Sequence, residues 1–274
     1  MVDIQHLLRD PMALRQRTIH ALRHDTRLAV ERSLWPGLVK NAAVLFLIRD
    51  TPMCAPEQGP AIVLTQRSRR VRQAGDLCCP GGGKTMHDAA LAAVTTLPGF
   101  PMSCWNRASS LPLRDRWELR TWVATAMREA FEEMRLSPFG VEFLGLLEPQ
   151  PLWIHQRLLV PVVMRQTRPQ TLRPDWEVES IVTVNVRELL DPSRYARFRV
   201  TVADKSAEVR DEWIRRVHED LLCFRVSARQ MLWGATFRLT MRWLEKVFGF
   251  VPPTSGLPLV ERRLTREYFS GKRL

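Results

Sequence analysis

The sequence predicts an α/β fold in which helices flank a mixed sheet. Three observations carry this. Short β-type runs recur along the chain: "AAVLFLI" (42–48), "AIVLTQ" (61–66), "VEFLGLLEP" (141–149), "LLVPVVM" (158–164), "SIVTVNV" (180–186) and "LLCFRV" (221–226). Helical periodicity fills the space between and after them. Val123, Met127, Ala130 and Met134 share one stripe of a pattern running from about Leu113 to Met134, and Phe237, Met241, Leu244 and Phe248 share another in the C-terminal "ATFRLTMRWLEKVFGF". Finally, no run of eighteen apolar residues occurs, so no membrane span is expected.

The remaining elements follow in order. Residues 4–33 read as helical, with an interruption near Pro11 and an apolar stripe of Leu7, Leu8, Leu14, Ile19, Leu22 and Val30. Pro36-Gly37 breaks that pattern. The first two β runs are joined by the turn-rich "RDTPMCAPEQGP" and predict a hairpin with a long loop. A glycine-rich loop, "CCPGGGKTMHD", leads into a short helix at 89–94. Residues from Thr95 to Pro112, rich in proline and serine, predict an excursion. "VRELLDP" predicts a short helix or turn, and no internal repeat is present.

The chain has 274 residues, enough to bury a real core, and its 45% hydrophobic and 26% charged content is an ordinary globular balance. The N-terminal stretch carries charges throughout and no signal-peptide core, which predicts a cytoplasmic protein. The five cysteines are odd in number and form no C-x-x-C pair, so neither a disulfide framework nor a zinc site is expected. A net charge of +12 points to an anionic partner: a phosphorylated metabolite, a nucleic acid or an acidic lipid.

The stretch "TAMREAFEEMRL" (125–136) concentrates the chemistry. Glu129, Glu132 and Glu133 stand at i, i+3 and i+4, on one helix face and away from the apolar stripe. Like charges so close repel, and a hard divalent cation held by the carboxylates offsets the repulsion. Such an ion neutralises a diphosphate and helps activate water, and carbonyl groups of the "PGGG" loop offer a further ligand.

"GG…REAFEEMRL" resembles the Nudix box, G-x5-E-x7-R-E-U-x-E-E-x-G-U, where U is a bulky aliphatic residue. The segment "VLTQRSRRVRQAGDLCCPGG" resembles, more narrowly, the pattern before the box in the coenzyme A pyrophosphatase branch of Nudix hydrolases. "NAAVLFLI", "VEFLGLLEP", "PDWEVESIVTVNVRELLDP" and "MLWGATFRL" resemble that branch's other landmarks in the same order, over roughly residues 40–247. There are departures. From Gly82 to Arg128 is 46 positions where the uninterrupted pattern has 14, so the box is split by an insertion. The first box glutamate has no clear equivalent, Asp88 being nearest. Arg135 stands where the box has its last glycine, and the histidine of the branch's "LRxHxG" is missing from "VRQAG".

The resemblance implies a Nudix-like α/β/α sandwich with a mixed sheet, an N-terminal helical extension (1–38), a hydrolase domain (39–250) with an insertion at about 95–118, and a C-terminal tail (251–274). It implies that Glu129, Glu132 and Glu133 bind Mg2+ or Mn2+, that Arg128 orients a glutamate, and that Glu177 supplies a further ligand or base, with Glu179 as its rival. Arg67 and Arg72 match the branch's arginine positions and, with Gly81 and Gly82, are assigned to substrate; Arg69 and Arg70 are read as a solvated edge. Trp233 is expected to pack the C-terminal helix. Trp105, Trp117 and Trp122 are expected to pack the insertion against the body or a second subunit. The implied activity is metal-dependent hydrolysis of the diphosphate of coenzyme A or an acyl-coenzyme A. The alternatives are a nucleotide sugar or dinucleotide such as ADP-ribose, and a non-catalytic fold that binds a nucleotide or nucleic acid. A small-molecule diphosphate is the expected partner, a homodimer is compatible with the sequence, and neither a membrane nor nucleic acid is expected.

Overall fold

The computed structural model describes residues 2–30, 40–50, 59–105, 111–152, 157–202, 221–264 and Tyr268. Cys54, His155 and the Pro36-Gly37 break lie outside them. Three helices open the chain: α1 (Ile4–Arg9), α2 (Pro11–Ala21) and α3 (Arg23–Val30). Asp10 separates the first two. Its carboxylate accepts from the backbone of Met12 and Ala13 at 2.8 and 3.1 Å, and Pro11 sits at the first helical position, where no N–H is needed.

The chain then runs through β1 (Lys40–Arg49), β2 (Ala61–Arg67), β3 (Leu77–Cys78), β4 (Gly81–Gly83), α4 (Met86–Ala92), α5 (Leu113–Met134), β5 (Val141–Leu146), β6 (Gln150–Leu152), β7 (Arg157–Gln166), β8 (Val178–Asn185) and α6 (Val186–Leu189). After these come β9 (Tyr195–Val202), β10 (Leu221–Arg225), β11 (Met231–Leu232), α7 (Gly234–Phe248) and β12 (Leu259–Leu264). The main sheet has the order β3-β2-β1-β7-β5, with β4 also on β1, β6 on β7 and β8 on β2. It is mixed: β1 and β7 run parallel, and the other pairs are antiparallel.

β1 explains the layering. Ala42, Val44, Phe46 and Ile48 point to one face, and Ala43, Leu45 and Leu47 to the other; all are buried. A strand buried on both faces needs helices on both sides. On the first face Leu7, Leu8, Leu14 and Leu22 of the N-terminal segment join Trp243, Leu244, Val247 and Phe248 of α7. On the second, α5 supplies Leu119, Trp122, Val123, Ala126, Met127, Ala130 and Met134. The result is the α/β/α sandwich with a mixed sheet that the sequence predicts. The N-terminal helices are a structural part of it: Thr26 Oγ1 accepts from the Leu146 N–H at 2.9 Å, and a Cβ on Gly145 would lie 2.8 Å from Leu22 Cβ.

The excursion between the glycine loop and α5 packs on the second face. Met102 is buried, the Pro101 carbonyl accepts from the Phe143 N–H at 2.8 Å, and the Trp105 ring meets Phe143 edge-on at 5.1 Å. Trp122 is buried, whereas Trp117 remains 45% exposed. A second sheet, β11-β10-β9-β12, stands beside the first. Residues 259–264, within the stretch assigned to a tail, are its parallel edge, paired with β9. Trp233 packs on this sheet, its ring 5.1 Å from that of Phe198.

Both long helices end on a left-handed residue. For α7 it is Gly249 (φ 68°), as the usual glycine cap requires; for α5 it is Arg135 (φ 58°, ψ 30°). The Cβ of arginine costs about 1–2 kcal/mol there. A contact with the Phe131 ring (5.5 Å) and an exposed ion pair with Asp175 (3.5 Å) offset part of it. Arg135→Gly is therefore expected to raise unfolding free energy by about 0.5–1 kcal/mol in a denaturant titration, after allowance for glycine's greater freedom in the unfolded chain.

Candidate active site

The site forms where the glycine loop, the C-terminal half of α5 and the start of β8 meet. Arg128 is its centre. Its Nε donates to Asp88 Oδ1 at 2.7 Å, Nη1 to Glu132 Oε2 at 2.9 Å, and Nη2 to both Glu129 Oε1 and the Gly83 carbonyl at 2.9 Å. One planar guanidinium thus links α4, α5 and the end of β4.

Asp88 is the residue that sequence reasoning undervalued. It is fully buried and also accepts from the Thr85 N–H at 2.7 Å and the Thr125 hydroxyl at 3.0 Å. Burial alone would raise its carboxyl, but the bonds from Arg128, Thr85 and Thr125 hold it below the usual carboxylate range. A signal was present: Asp88 stands six positions after Gly82, the spacing of glycine and first glutamate in the quoted box.

The two loop glycines differ in what they make possible. A Cβ on Gly81 would meet backbone atoms, the Ala43 carbonyl oxygen at 2.3 Å and Val44 Cα at 2.6 Å. A Cβ on Gly82 would meet the Glu129 carboxylate first, at 2.3–2.7 Å. Gly81 therefore lets β4 lie on β1, while Gly82 lets Glu129 lie on the loop.

The three glutamates occupy different environments. The solvent-facing position expected for all of them holds for Glu132, whose side chain is 52% exposed, and not for Glu129, at 17%. Burial raises the Glu129 carboxyl against the opposing charge of Arg128. Burial pushes Glu133 up to about 7; the charges of Glu129 and Glu177 add to this, and the Gly81 N–H (3.4 Å) and Arg67 oppose it. The reason is that α5 ends under a loop. The Asp175 N–H donates to the Glu133 carbonyl at 2.9 Å, and the Ser68 N–H to the Glu177 carbonyl at 2.8 Å, closing residues 173–177 over the helix end.

The structure therefore brings Arg67, Gly81, Gly82, Glu129, Glu133 and Glu177 together. Glu177 acts electrostatically on Glu133, and Glu179 is exposed on β8. Arg72 enters through its backbone: its carbonyl accepts from Arg67 Nε at 2.7 Å, and its side chain is exposed. Arg69 and Arg70 are exposed. Lys84, just past the glycines, bonds Glu118 at 3.0 Å and sits over the Trp122 ring.

Among the described residues, no three His, Cys, Asp or Glu side chains converge as a metal-binding group in this arrangement. The donor chemistry nevertheless suits a hard divalent cation. Glu129, Glu132 and Glu133 offer carboxylate oxygens within one turn of helix, and two of them are raised by burial and mutual repulsion, which positive charge would relieve. No helix among the described residues is long and apolar enough to cross a membrane.

No family model matches the chain, and no curated protein matches it. Solved structures similar to it include a Nudix hydrolase from M. smegmatis, RenU, at 16% identity over 54% of this chain and 72% of that one, with a TM-score of 0.33. A Nudix hydrolase from Alicyclobacillus acidocaldarius is 18% identical over 56% and 81%, with a TM-score of 0.38. One from Nitrosomonas europaea is 13% identical over 81% and 79%, with a TM-score of 0.37. Likenesses of this size decide nothing about the chain's function, which rests on its own side chains.

Two outcomes are expected. Gly81→Ala destabilises the fold by about 2 kcal/mol or more, because backbone must move, whereas Gly82→Ala stays within about 1 kcal/mol of the parent and displaces only Glu129; thermal unfolding separates them. Glu133 has a folded pKa raised above its ordinary 4.5 to about 7, so the native state holds the proton more tightly and stability falls as pH rises through that window. In chelator, Glu133→Gln should gain on the order of 2–3 kcal/mol relative to the parent between about pH 4 and pH 8.

Proposed function

We propose that the protein is a Nudix-type diphosphatase that hydrolyses the diphosphate of coenzyme A or an acyl-coenzyme A, yielding a phosphopantetheine and 3′,5′-ADP. The observation that carries this is the Arg128 cluster. A single guanidinium bonds Asp88 and Glu132 and shares the Glu129 carboxylate, which itself rests on Gly82. A solvated helix face has no use for a buried aspartate aimed at its arginine or for a glycine beneath its glutamate. The quoted box residues supply the same constellation at sequence level.

Glu129, Glu132 and Glu133, with Glu177, are the residues that would hold Mg2+ or Mn2+; the ion's contribution when bound is positive charge against the diphosphate and acidification of water. Arg128 fixes the directions of Glu129 and Glu132. Glu177, assigned as further ligand or base and close enough to act electrostatically on Glu133, is the group to accept the proton of the attacking water when it is not itself a ligand. Arg67, held on the site side of its loop by the Arg72 carbonyl, binds phosphate. The 3′-phosphate of coenzyme A distinguishes it from dephospho-coenzyme A, and a charge-assisted contact of about 1.5–3 kcal/mol gives roughly ten- to hundredfold in kcat/KM when it persists in the transition state. The same machinery acting on a nucleotide sugar or dinucleotide is the second reading, favoured by the absence of the branch's histidine from "VRQAG".

Phosphate-bond hydrolysis of coenzyme A, dephospho-coenzyme A and ADP-ribose, with Mg2+ and with Mn2+, tests this. Coenzyme A is expected to be turned over at least about tenfold faster in kcat/KM than dephospho-coenzyme A, with the preference lost in Arg67→Ala. Glu132→Gln and Glu133→Gln are expected to lose most activity while remaining folded. Faster turnover of ADP-ribose would assign the second reading, and no metal-dependent turnover of any diphosphate would remove both.

A further inference from the structure

We propose that Asp76, Arg262 and Tyr268 form a clamp by which the C-terminal strand, through Arg262, and Tyr268 beyond it fix the arginine loop and so position Arg67; the effect on turnover rests on the diphosphatase reading, but the clamp itself does not. Asp76 is 8% exposed and receives three side-chain donors from distant parts of the chain: Arg262 Nη1 at 2.6 Å, Tyr268 Oη at 2.5 Å and Trp233 Nε1 at 3.2 Å. Arg262 also donates to the Ala74 carbonyl at 3.2 Å and lies over the Tyr268 ring at 5.3 Å. The Tyr268 carbonyl accepts from the Gln73 N–H at 2.7 Å, and Gln73 holds a left-handed backbone (φ 60°) that a non-glycine residue keeps only when its surroundings impose it.

The loop in turn holds Arg67. Its N–H donates to the Asp76 carbonyl at 2.9 Å, its carbonyl accepts from Gly75 N–H at 2.8 Å, and its side chain is steered by the Arg72 carbonyl. Asp76 thus joins the small sheet to the loop whose other end faces Glu133. The two large cores do not contain these groups; Tyr268 and Trp233 belong to the separate apolar cluster of the small sheet. Loosening the clamp therefore frees the loop without opening the sandwich.

Limited trypsin digestion reads the clamp directly, because Arg69, Arg70 and Arg72 are exposed cleavage positions within the loop. Tyr268→Phe removes one donor to a buried carboxylate and is expected to accelerate first cuts after these arginines about tenfold, with cuts elsewhere little changed and the Tm lowered by no more than about 2–4 °C. Arg262→Lys serves as the second variant. With coenzyme A, Tyr268→Phe should raise KM about tenfold with kcat within a factor of about two. Unchanged loop cleavage in both variants would overturn the clamp whatever the turnover. Accelerated cleavage with unaltered KM would overturn the positioning of Arg67. A parent protein that hydrolyses no diphosphate would defeat the diphosphatase reading and Arg67's phosphate role with it, while loop cleavage still decides the clamp.

Discussion

The ion pair between Asp88 and Arg128 is the constraint on which the candidate site depends. Removing two charges from water costs several kcal/mol per ion, and the attraction between them repays this only when the remaining hydrogen-bonding capacity is filled. Here it is filled. Thr85 and Thr125 complete Asp88, and Glu129, Glu132 and the Gly83 carbonyl complete Arg128. The pair joins two helices separated in sequence by the excursion, so α4, the glycine loop and the glutamates of α5 hold one another in register.

The same geometry divides labour among carboxylates of one kind. Asp88 stays ionised because donors surround it, and Glu133 is held near neutrality because burial and like charges surround it. Glu129 lies between these extremes, raised by burial and restrained by Arg128. The environments arise from backbone: a loop closed over the end of α5, and a glycine whose missing side chain leaves room for a carboxylate.

Much of the frame was legible in the sequence, for physical reasons that also mark what was not. β1 and β7 read clearly because a strand buried on both faces is a continuous apolar run. α5 read almost to the residue because its buried side repeats at helical spacing from Leu119 to Met134. β3, β4 and β6, of two or three residues, are too short to show a period. In the small sheet, β9 alternates Phe198 and Val200 inward with Arg197 and Arg199, the local signal of a strand with one buried face. β12, "LVERRL", becomes a strand because β9 offers it a partner some sixty residues away, which no local pattern reveals. The glutamate face was legible because its spacing is local. The contacts of Asp88 and Asp76 were not, because they are made by side chains brought near only by folding.

The split between Gly82-Asp88 and Arg128-Glu133 has a consequence for assembly of the chain. Asp88 and Arg128 are 40 residues apart, against eight between the corresponding residues of the uninterrupted pattern. Loop closure grows only with the logarithm of length, so this fivefold lengthening costs about 1.4 kcal/mol of chain entropy. That is less than the 3–5 kcal/mol commonly lost when one partner of a buried ion pair is removed. The two half-motifs are held together by contact in space, and the excursion between them is itself packed on the sheet through Met102 and Trp105. Chain length between Asp88 and Arg128 is therefore a smaller term in the site's stability than the contact itself.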